Sequence, residues 1–441
     1  MLYIIALLLA LTFLVLGIVK FKIHPFFVLL LAAIGYGFLV GMDVSLIISS
    51  INDGFGGIMG KIGLIIFFGV VIGTVLEKSG GALVIANAIL KQIGEKSIHL
   101  AMMLTGYVLS IPVFADSAFL MMNSLNKALS HKAKVSYAGT TAALALGLTA
   151  THVMVPPTPG PIAAAGILDA QLGSVVGWGI LVSLLSLGTC YLFAKRVASK
   201  IKIPYRLETI ENPTHLPKLW KSLLSIIVPI FLIVVKSIFD YPGFGLTESA
   251  LYPLVAFLGT PMIALLIGVA LTLLLPEKLD EKIYAASGWL GDALKLAAPI
   301  LLITGAGGIF GKVLQNSGMA EVITNSLSDI NIGLLFPFLL AACLKTTQGS
   351  STVALITTAS IVAPILPALG LDAPFMKTMT VLAIGAGSAV VSHANDSFFW
   401  VFTELTGMNI RQGNQIQTVG TLVFGLTAIC IILLISQIMA G

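Results

Sequence analysis

Apolar runs recur along the chain near 2–19, 25–42, 62–76, 98–114, 136–155, 174–194, 222–239, 254–275, 296–314, 331–344, 352–368, 378–391 and 417–440. A helix needs about 20 apolar residues to cross a bilayer, so the longer runs predict spanning helices. The shorter ones are broken by glycine, proline or polar residues. Stretches 98–129 and 331–368 predict helical hairpins with polar tips, PVFADS at 112–117 and KTTQGSST at 345–352. Two other runs break in the middle, at THVMVPPTPGP (151–161) and SHANDS (392–397). Segments 81–94 and 320–329 are shorter and more polar, and predict interfacial helices.

Composition agrees with the pattern. Charged residues make up 10% of the 441 residues, against about 25% in soluble domains, and the mean hydropathy is +1.04. There is room for roughly ten spans. The first run, LYIIALLLALTFLVLGIV, follows Met1 without a basic n-region or a small-residue cleavage site, and reads as a retained span. Cys190, Cys343 and Cys430 lie far apart in apolar stretches without metal spacing, and read as small buried hydrophobes. No cofactor is expected.

The net charge of +5 is no nucleic-acid footprint, because the basic residues sit between apolar runs. Lys20, Lys22, Lys91, Lys96, Lys127, Lys132, Lys134 and the cluster from Lys195 to Lys221 all fall in the cytoplasm under a single topology. The N-terminus is then outside. The first hairpin enters from the cytoplasm and the second from outside.

An internal repeat fits this topology. IGTVLEKSGGA (72–82) and FGKVLQNSGMA (310–320) share Gly73/Gly311, Val75/Val313, Leu76/Leu314, Ser79/Ser317, Gly80/Gly318 and Ala82/Ala320. In each half an interfacial segment, a polar-tipped hairpin, a broken span and a last span follow. Thr151-His152 then corresponds to Ser392-His393. The expected fold is an all-α polytopic membrane protein of two inverted repeats. Each repeat has about five spanning helices and one re-entrant helical hairpin, with broken helices at mid-membrane. The halves are 1–197 and 222–441, joined by a cytoplasmic linker, 198–221.

Polar backbone exposed at a hairpin tip or helix break is tolerated in the bilayer only inside protein or beside a wet cavity. A helix restarting after such a break aims its N-terminus inward, where it suits a carboxylate. Four clusters stand at these places: Asp116-Ser117; Thr151, His152, Thr158 and Gly160 among Pro156, Pro157, Pro159 and Pro161; Thr346, Thr347, Gln348, Gly349, Ser350, Ser351 and Thr352; and Ser392, His393, Asn395, Asp396 and Ser397. The bland readings are specific. Asp116 and Asp396 stand where N-caps would. His152 and His393 could be satisfied core histidines, and Lys345 could snorkel or pair with a carboxylate. Intramembrane ionisable groups are expensive and usually functional. The substrate-binding candidates are therefore Ser117, Thr158, Gly160, Gln348, Gly349, Ser350, Ser351, Thr352, Ser392, His393 and Asn395. The proton-coupling candidates are Asp116, Asp396 and His152.

At these clusters the chain resembles the gluconate permease family of the ion transporter superfamily. The resemblance rests on IPVFADSAFLM, VPPTPGPIAAA, TTQGSSTVALITTASIVAP and IGAGSAVVSHANDSFFWVFTELTGM, and extends over nearly the whole chain. It implies proton-coupled uptake of gluconate, other sugar acids or D-serine across the bacterial inner membrane by an elevator-like movement. Two positions depart from the family pattern. Ala115 stands where a second phenylalanine is usual, and Thr158 replaces the histidine of PPHPGP. The partners so implied are a small organic anion, protons and membrane lipid, with a homodimer left open. A sodium-coupled carboxylate transporter and a channel are the alternatives within transport. A membrane-embedded hydrolase finds no HExxH or GxSxG motif to support it.

Overall fold

The structure is a computed structural model that describes residues 2–94, 97–203, 216–240, 245–318, 333–394 and 396–440. Asn395, most of the expected linker and the segment 320–329 lie outside these residues. Among the described residues every regular element is helical. They run α1 Leu2–Val19, α2 Pro25–Leu39, α3 Val44–Ile58, α4 Leu64–Lys78, α5 Gly81–Ile93, α6 Ile98–Leu109, α7 Ala115–Lys132, α8 Tyr137–Met154, α9 Pro159–Ile167 and α10 Leu172–Arg196. There follow α11 Leu219–Phe239, α12 Tyr252–Leu258, α13 Pro261–Thr272, α14 Trp289–Asn316, α15 Leu335–Gln348, α16 Ser351–Val362, α17 Pro374–Ala389, α18 Ser397–Thr406 and α19 Val419–Ala440. Two one-turn helices, Glu281–Tyr284 and Ile410–Gly413, are left unlabelled.

Among the described residues six helices are long and apolar enough to cross a membrane, or seven if α12 and α13 form one span. That pair is bent by 64° at Gly259-Thr260, so the run read as one plain span is kinked. In the other direction, the sequence pattern anticipated a span only over 62–76. α3, a π-helical turn at Met59–Gly63 and α4 instead join into one helix, Val44–Lys78, of 35 residues. Its first half is rich in small and polar residues because it packs on α14 as well as on lipid. Asn316 there donates to Ser50 Oγ at 2.8 Å. Small and polar residues are what membrane helix interfaces use.

Both expected hairpins are present as α6–α7 and α15–α16, and both expected broken spans as α8–α9 and α17–α18. Of the six long apolar helices, Tyr137–Ile167 has the most buried apolar window, at 94%, so the most enclosed of them is a broken helix rather than a plain span. Two glycines one turn apart on α4 let the first hairpin and the first break approach it. A Cβ on Gly69 would stand 2.7 Å from the Pro157 carbonyl oxygen, and one on Gly73 1.9 Å from that of Pro112. Any larger residue would push one of these breaks off α4.

The expectation for the cysteines is corrected in part. Cys190 is buried, but Cys343 and Cys430 are exposed on the outer faces of α15 and α19. An apolar stretch can face lipid as readily as core, so an apolar flank alone does not report burial.

Candidate functional site

The first hairpin turns at Ser110–Phe114. Phe114 is the N-cap of α7 and offers no side-chain cap. Asp116 is therefore inside the first turn of the helix and is not its cap, which corrects one of the two readings of that residue. The second hairpin turns at Gly349, whose φ of 90° is open to glycine and strained for other residues. Ser350 then caps α16 by accepting from the Val353 N–H at 3.3 Å. The break between α17 and α18 is an extended segment that passes Val391, a β-branched residue held at φ 57°. Strain of this kind persists only where surrounding contacts enforce it. Here the enforcing contacts come from α19 and the π turn before it. Thr418 Oγ1 donates to the Ser392 carbonyl at 2.6 Å, and the Ser392 N–H donates to Thr421 Oγ1 at 3.1 Å. These bonds satisfy the backbone that the break exposes, as the bilayer requires.

A cavity of about 150 Å³ lies where these pieces meet. Its wall includes Phe114 to Asp116, Thr149, His152, Lys345, Ser350 to Thr352, Ser392, Asp396 to Phe398, Gln417 and Thr421. The N-termini of α7, α16 and α18 all reach it, each bringing free N–H groups and the positive end of a helix dipole.

The charges are arranged unequally. Lys345 and Asp396 form an ion pair at 2.6 Å with side chains 2% and 8% exposed. Asp396 also receives the Ser392 hydroxyl at 2.5 Å and the Phe398 N–H at 3.0 Å, and caps α18. Lys345 donates in addition to the Gly349 carbonyl, tying the second hairpin tip to the second break. Asp396 is thus both a cap and half of a buried pair, and Lys345 pairs rather than snorkels. Asp116 has no hydrogen-bond or ion-pair partner among the described residues, and feels Asp396 and Lys345 only at longer range. It is exposed to the cavity.

Seven of the sequence candidates line the cavity: Asp116, His152, Ser350, Ser351, Thr352, Ser392 and Asp396. Ser117 instead bonds the Glu77 carboxylate at the end of α4. Thr158 caps α9 by position but turns its hydroxyl onto the Val155 carbonyl at 2.8 Å. Gly160 packs against Leu355 and Thr352. Gln348 and Gly349 shape the second tip behind the wall. His393 bonds the Thr346 carbonyl at 3.0 Å and lines a separate shallow groove with Arg411 and Asn414. The positional match of His152 with His393 therefore fails. His152 is inside α8, with Nδ1 buried and unpartnered among the described residues, whereas His393 belongs to the extended break. Four polar lining residues outside the four clusters escaped the sequence reading as site members. Thr149 is hidden in an apolar run, Lys345 was weighed only as a snorkelling or pairing group, and Gln417 and Thr421 stand at the start of the last span. Gln417 sits beside Thr418 and close to Thr421 at the polar start of that span, and nothing in the residue pattern sets it apart from them.

Broken helices, helical hairpins and a charged cavity enclosed among apolar spans define a polytopic membrane transporter. The sequence signature of the GntP family permeases matches residues 2–438, and the chain belongs to that family. Among its relatives, a Haemophilus influenzae protein described as an uncharacterized permease is 36% identical, over 98% of this chain and 91% of its own length. A gluconate permease of Pseudomonas aeruginosa is 31% identical, over 96% of this chain and 95% of its own. The fold is similar to that of the Alcanivorax borkumensis YdaH transporter, with a TM-score of 0.62, 14% identity and 87% coverage of both chains. The chain is thus a multi-pass inner-membrane transport protein and not an enzyme.

Proposed function

We propose that the chain is a proton-coupled symporter for gluconate or a related small hydroxy-carboxylate, working by elevator-like alternating access. The observation that carries this is the unequal treatment of two carboxylates at one cavity. Lys345 neutralises Asp396, so Asp116 is the uncompensated negative charge. A substrate carboxylate drawn to the three helix N-termini would meet it. Two like charges at roughly 5 Å repel by about 3 kcal/mol at an effective dielectric near 20. A proton on Asp116 removes that repulsion, so anion and proton load together and leave together. Ser350, Ser351 and Thr352 are the nearest hydroxyl partners for the carboxylate, with His152 opposite. The name of the Pseudomonas relative supports gluconate as the first substrate to try, and D-serine remains the second.

Alternating access rests on two inverted halves, 1–197 and 222–441, on either side of a cytoplasmic linker. The order hairpin, long helix, break, short helix, last span holds for α6–α10 and again for α15–α19. Thr189 of α10 and Thr427 of α19 share a hydroxyl–hydroxyl bond at 2.9 Å. Their separation of 238 residues is also that of Gly73 and Gly311, so equivalent positions of the two halves touch. Self-contact of this kind is expected at a pseudo-two-fold axis. Inversion predicts that cysteines at Lys132 and Asp372 label from opposite sides of the membrane, and labelling from one side would remove it.

The coupling ion is tested in proteoliposomes. Gluconate uptake should follow an imposed pH gradient with no sodium present. Uptake that needs a sodium gradient instead would make the chain a sodium-coupled carrier, and uptake that never saturates would make it a channel.

A further inference from the structure

Among the groups enclosed at the cavity, Gln417 stands apart. Its side chain lines the cavity and the residue is 1% exposed, yet neither its amide oxygen nor its amide nitrogen has a hydrogen-bond partner among the described residues. Leaving a buried polar group unpaired costs about 1–3 kcal/mol, so two such atoms on one side chain call for an explanation. Its neighbours show what packing demands of this face. Thr418 and Thr421 bond the backbone of the extended break through Ser392. The side-chain amide of Gln417, just ahead of both, bonds nothing among the described residues. A π-helical turn at Asn414–Thr418 sets this register. Insertions of this sort inside helices often mark functional sites, because one extra residue rotates the side chains ahead of it relative to those behind.

We infer that Gln417 is the group that reads a hydroxyl of the substrate, in a subsite separate from the carboxylate site. The inference rests on the hydroxy-carboxylate reading above and deepens it. An amide presents an acceptor oxygen and donor N–H side by side, and a hydroxyl is at once donor and acceptor. The carboxylate has the helix N-termini of α7, α16 and α18 at its disposal, and needs no acceptor. Thr149, which lines the same cavity, donates its own hydroxyl to the Ala145 carbonyl at 2.9 Å, which leaves its oxygen able to accept. Gln417 and Thr149 thus offer uncharged partners to a polar substituent on the carbon chain. A substrate lacking that substituent would leave the amide unpaired, and sites of this type reject the deoxy analogue.

The test is a selectivity ratio in purified protein reconstituted into liposomes. Two pairs of probes are used, gluconate against 2-deoxygluconate and D-serine against D-alanine. The wild type should prefer the hydroxylated member of the pair it binds by about tenfold, the scale of one hydrogen bond to a buried partner. Gln417→Met keeps the length of the side chain and removes the amide, and should bring the ratio within about twofold of unity, mainly through weaker binding of the hydroxylated probe. Should Gln417→Met fail to reach the membrane, Gln417→Asn, which withdraws the amide by one methylene, is read the same way. A variant that binds both probes more weakly but keeps the wild-type ratio overturns the inference and leaves Gln417 a packing residue. A wild type that binds a pair without discriminating within it overturns it too. Failure of the substrate class itself shows differently, as a wild type that binds neither pair, and that result also removes the hydroxyl reading.

Discussion

The two broken spans share one architecture and differ in what fills the break. In the first, between α8 and α9, the hydroxyls end on backbone carbonyls. Thr158 bonds the Val155 carbonyl, Thr151 bonds the Tyr107 carbonyl of α6 at 2.9 Å, and Pro156 and Pro157 have no N–H to satisfy. In the second, between α17 and α18, the same structural position as Thr158 is held by Asp396, each being the N-cap of the helix that restarts. Asp396 caps its own helix through the Phe398 N–H, accepts from Ser392 within the break, and also pairs outward with Lys345. The hydroxyls of the first break end on neutral carbonyls, and the second break is joined by an ion pair to the second hairpin and by hydrogen bonds to the last span. A helix break in a membrane is therefore not by itself a site; what matters is whether its polar groups are already used.

The largest effect expected from this difference follows removal of Lys345. Lys345→Met leaves Asp396 buried without a counter-charge, and breaking a buried pair from one side costs about 3–5 kcal/mol. Thermal unfolding in detergent should show a large loss of stability. The double variant Lys345→Met with Asp396→Asn should recover most of it, because the stranded charge is gone. If Lys345→Met alone is as stable as the wild type, the pair does not hold the second break in place.

A smaller effect separates the first break from the second hairpin tip by affinity. Ser351→Ala and Thr352→Ala should each weaken substrate binding by about 1.5–3 kcal/mol, the range for a hydrogen bond to a charged group. Thr158→Ala removes a bond within its own turn and should change affinity by less than about 1 kcal/mol. Equal losses at Thr158 and Ser351 would erase the distinction between a hydroxyl already bonded within its turn and one that lines the cavity.

The smallest effect lies outside the cavity. Asp169, just beyond α9, pairs with Lys61 of the π turn between α3 and α4 at 2.6 Å. The Lys61 hydrogen bond and charge hold the Asp169 carboxyl below its ordinary value, with Lys377 adding to the effect. A depressed carboxylate stabilises the folded state above its unfolded pKa, and this contribution is lost as the pH falls below about 4. Both side chains are largely exposed, so solvent screening keeps the contribution under about 1 kcal/mol. Asp169→Asn should therefore leave the melting temperature nearly unchanged at neutral pH and slightly flatten its decline on acidification. A pronounced loss at neutral pH would mean the pair fastens the first break more firmly than its exposure suggests.

Much of this was legible in the sequence because a bilayer makes polar residues conspicuous. All four polar clusters lie at real tips or breaks, and both hairpins and both broken spans fall where the pattern placed them. What could not be read was direction. Asp116 and Ser117 are adjacent, yet one faces the cavity and the other bonds Glu77 on α4, a choice set by helix rotation after an uncapped turn. The two histidines sit at similar points of similar motifs, but one break begins three residues further along, so only His152 remains helical. Gln417 was invisible because its importance comes from a π turn and from partners it lacks, neither of which has a compositional signature. The 44–58 stretch was missed because small and polar residues in a helix that packs on another helix resemble a loop.

The central claim is that Asp116, the carboxylate with no partner, couples the proton to the substrate. It is tested most directly by comparing wild type and Asp116→Asn in proteoliposomes, measuring gluconate accumulation under an imposed pH gradient and gluconate exchange without one. The asparagine keeps the shape and cannot ionise. The account predicts that the variant exchanges substrate across the membrane but no longer accumulates it against a gradient. An Asp116→Asn protein that still accumulates gluconate when the pH gradient is applied would contradict it, and would move the proton to another group.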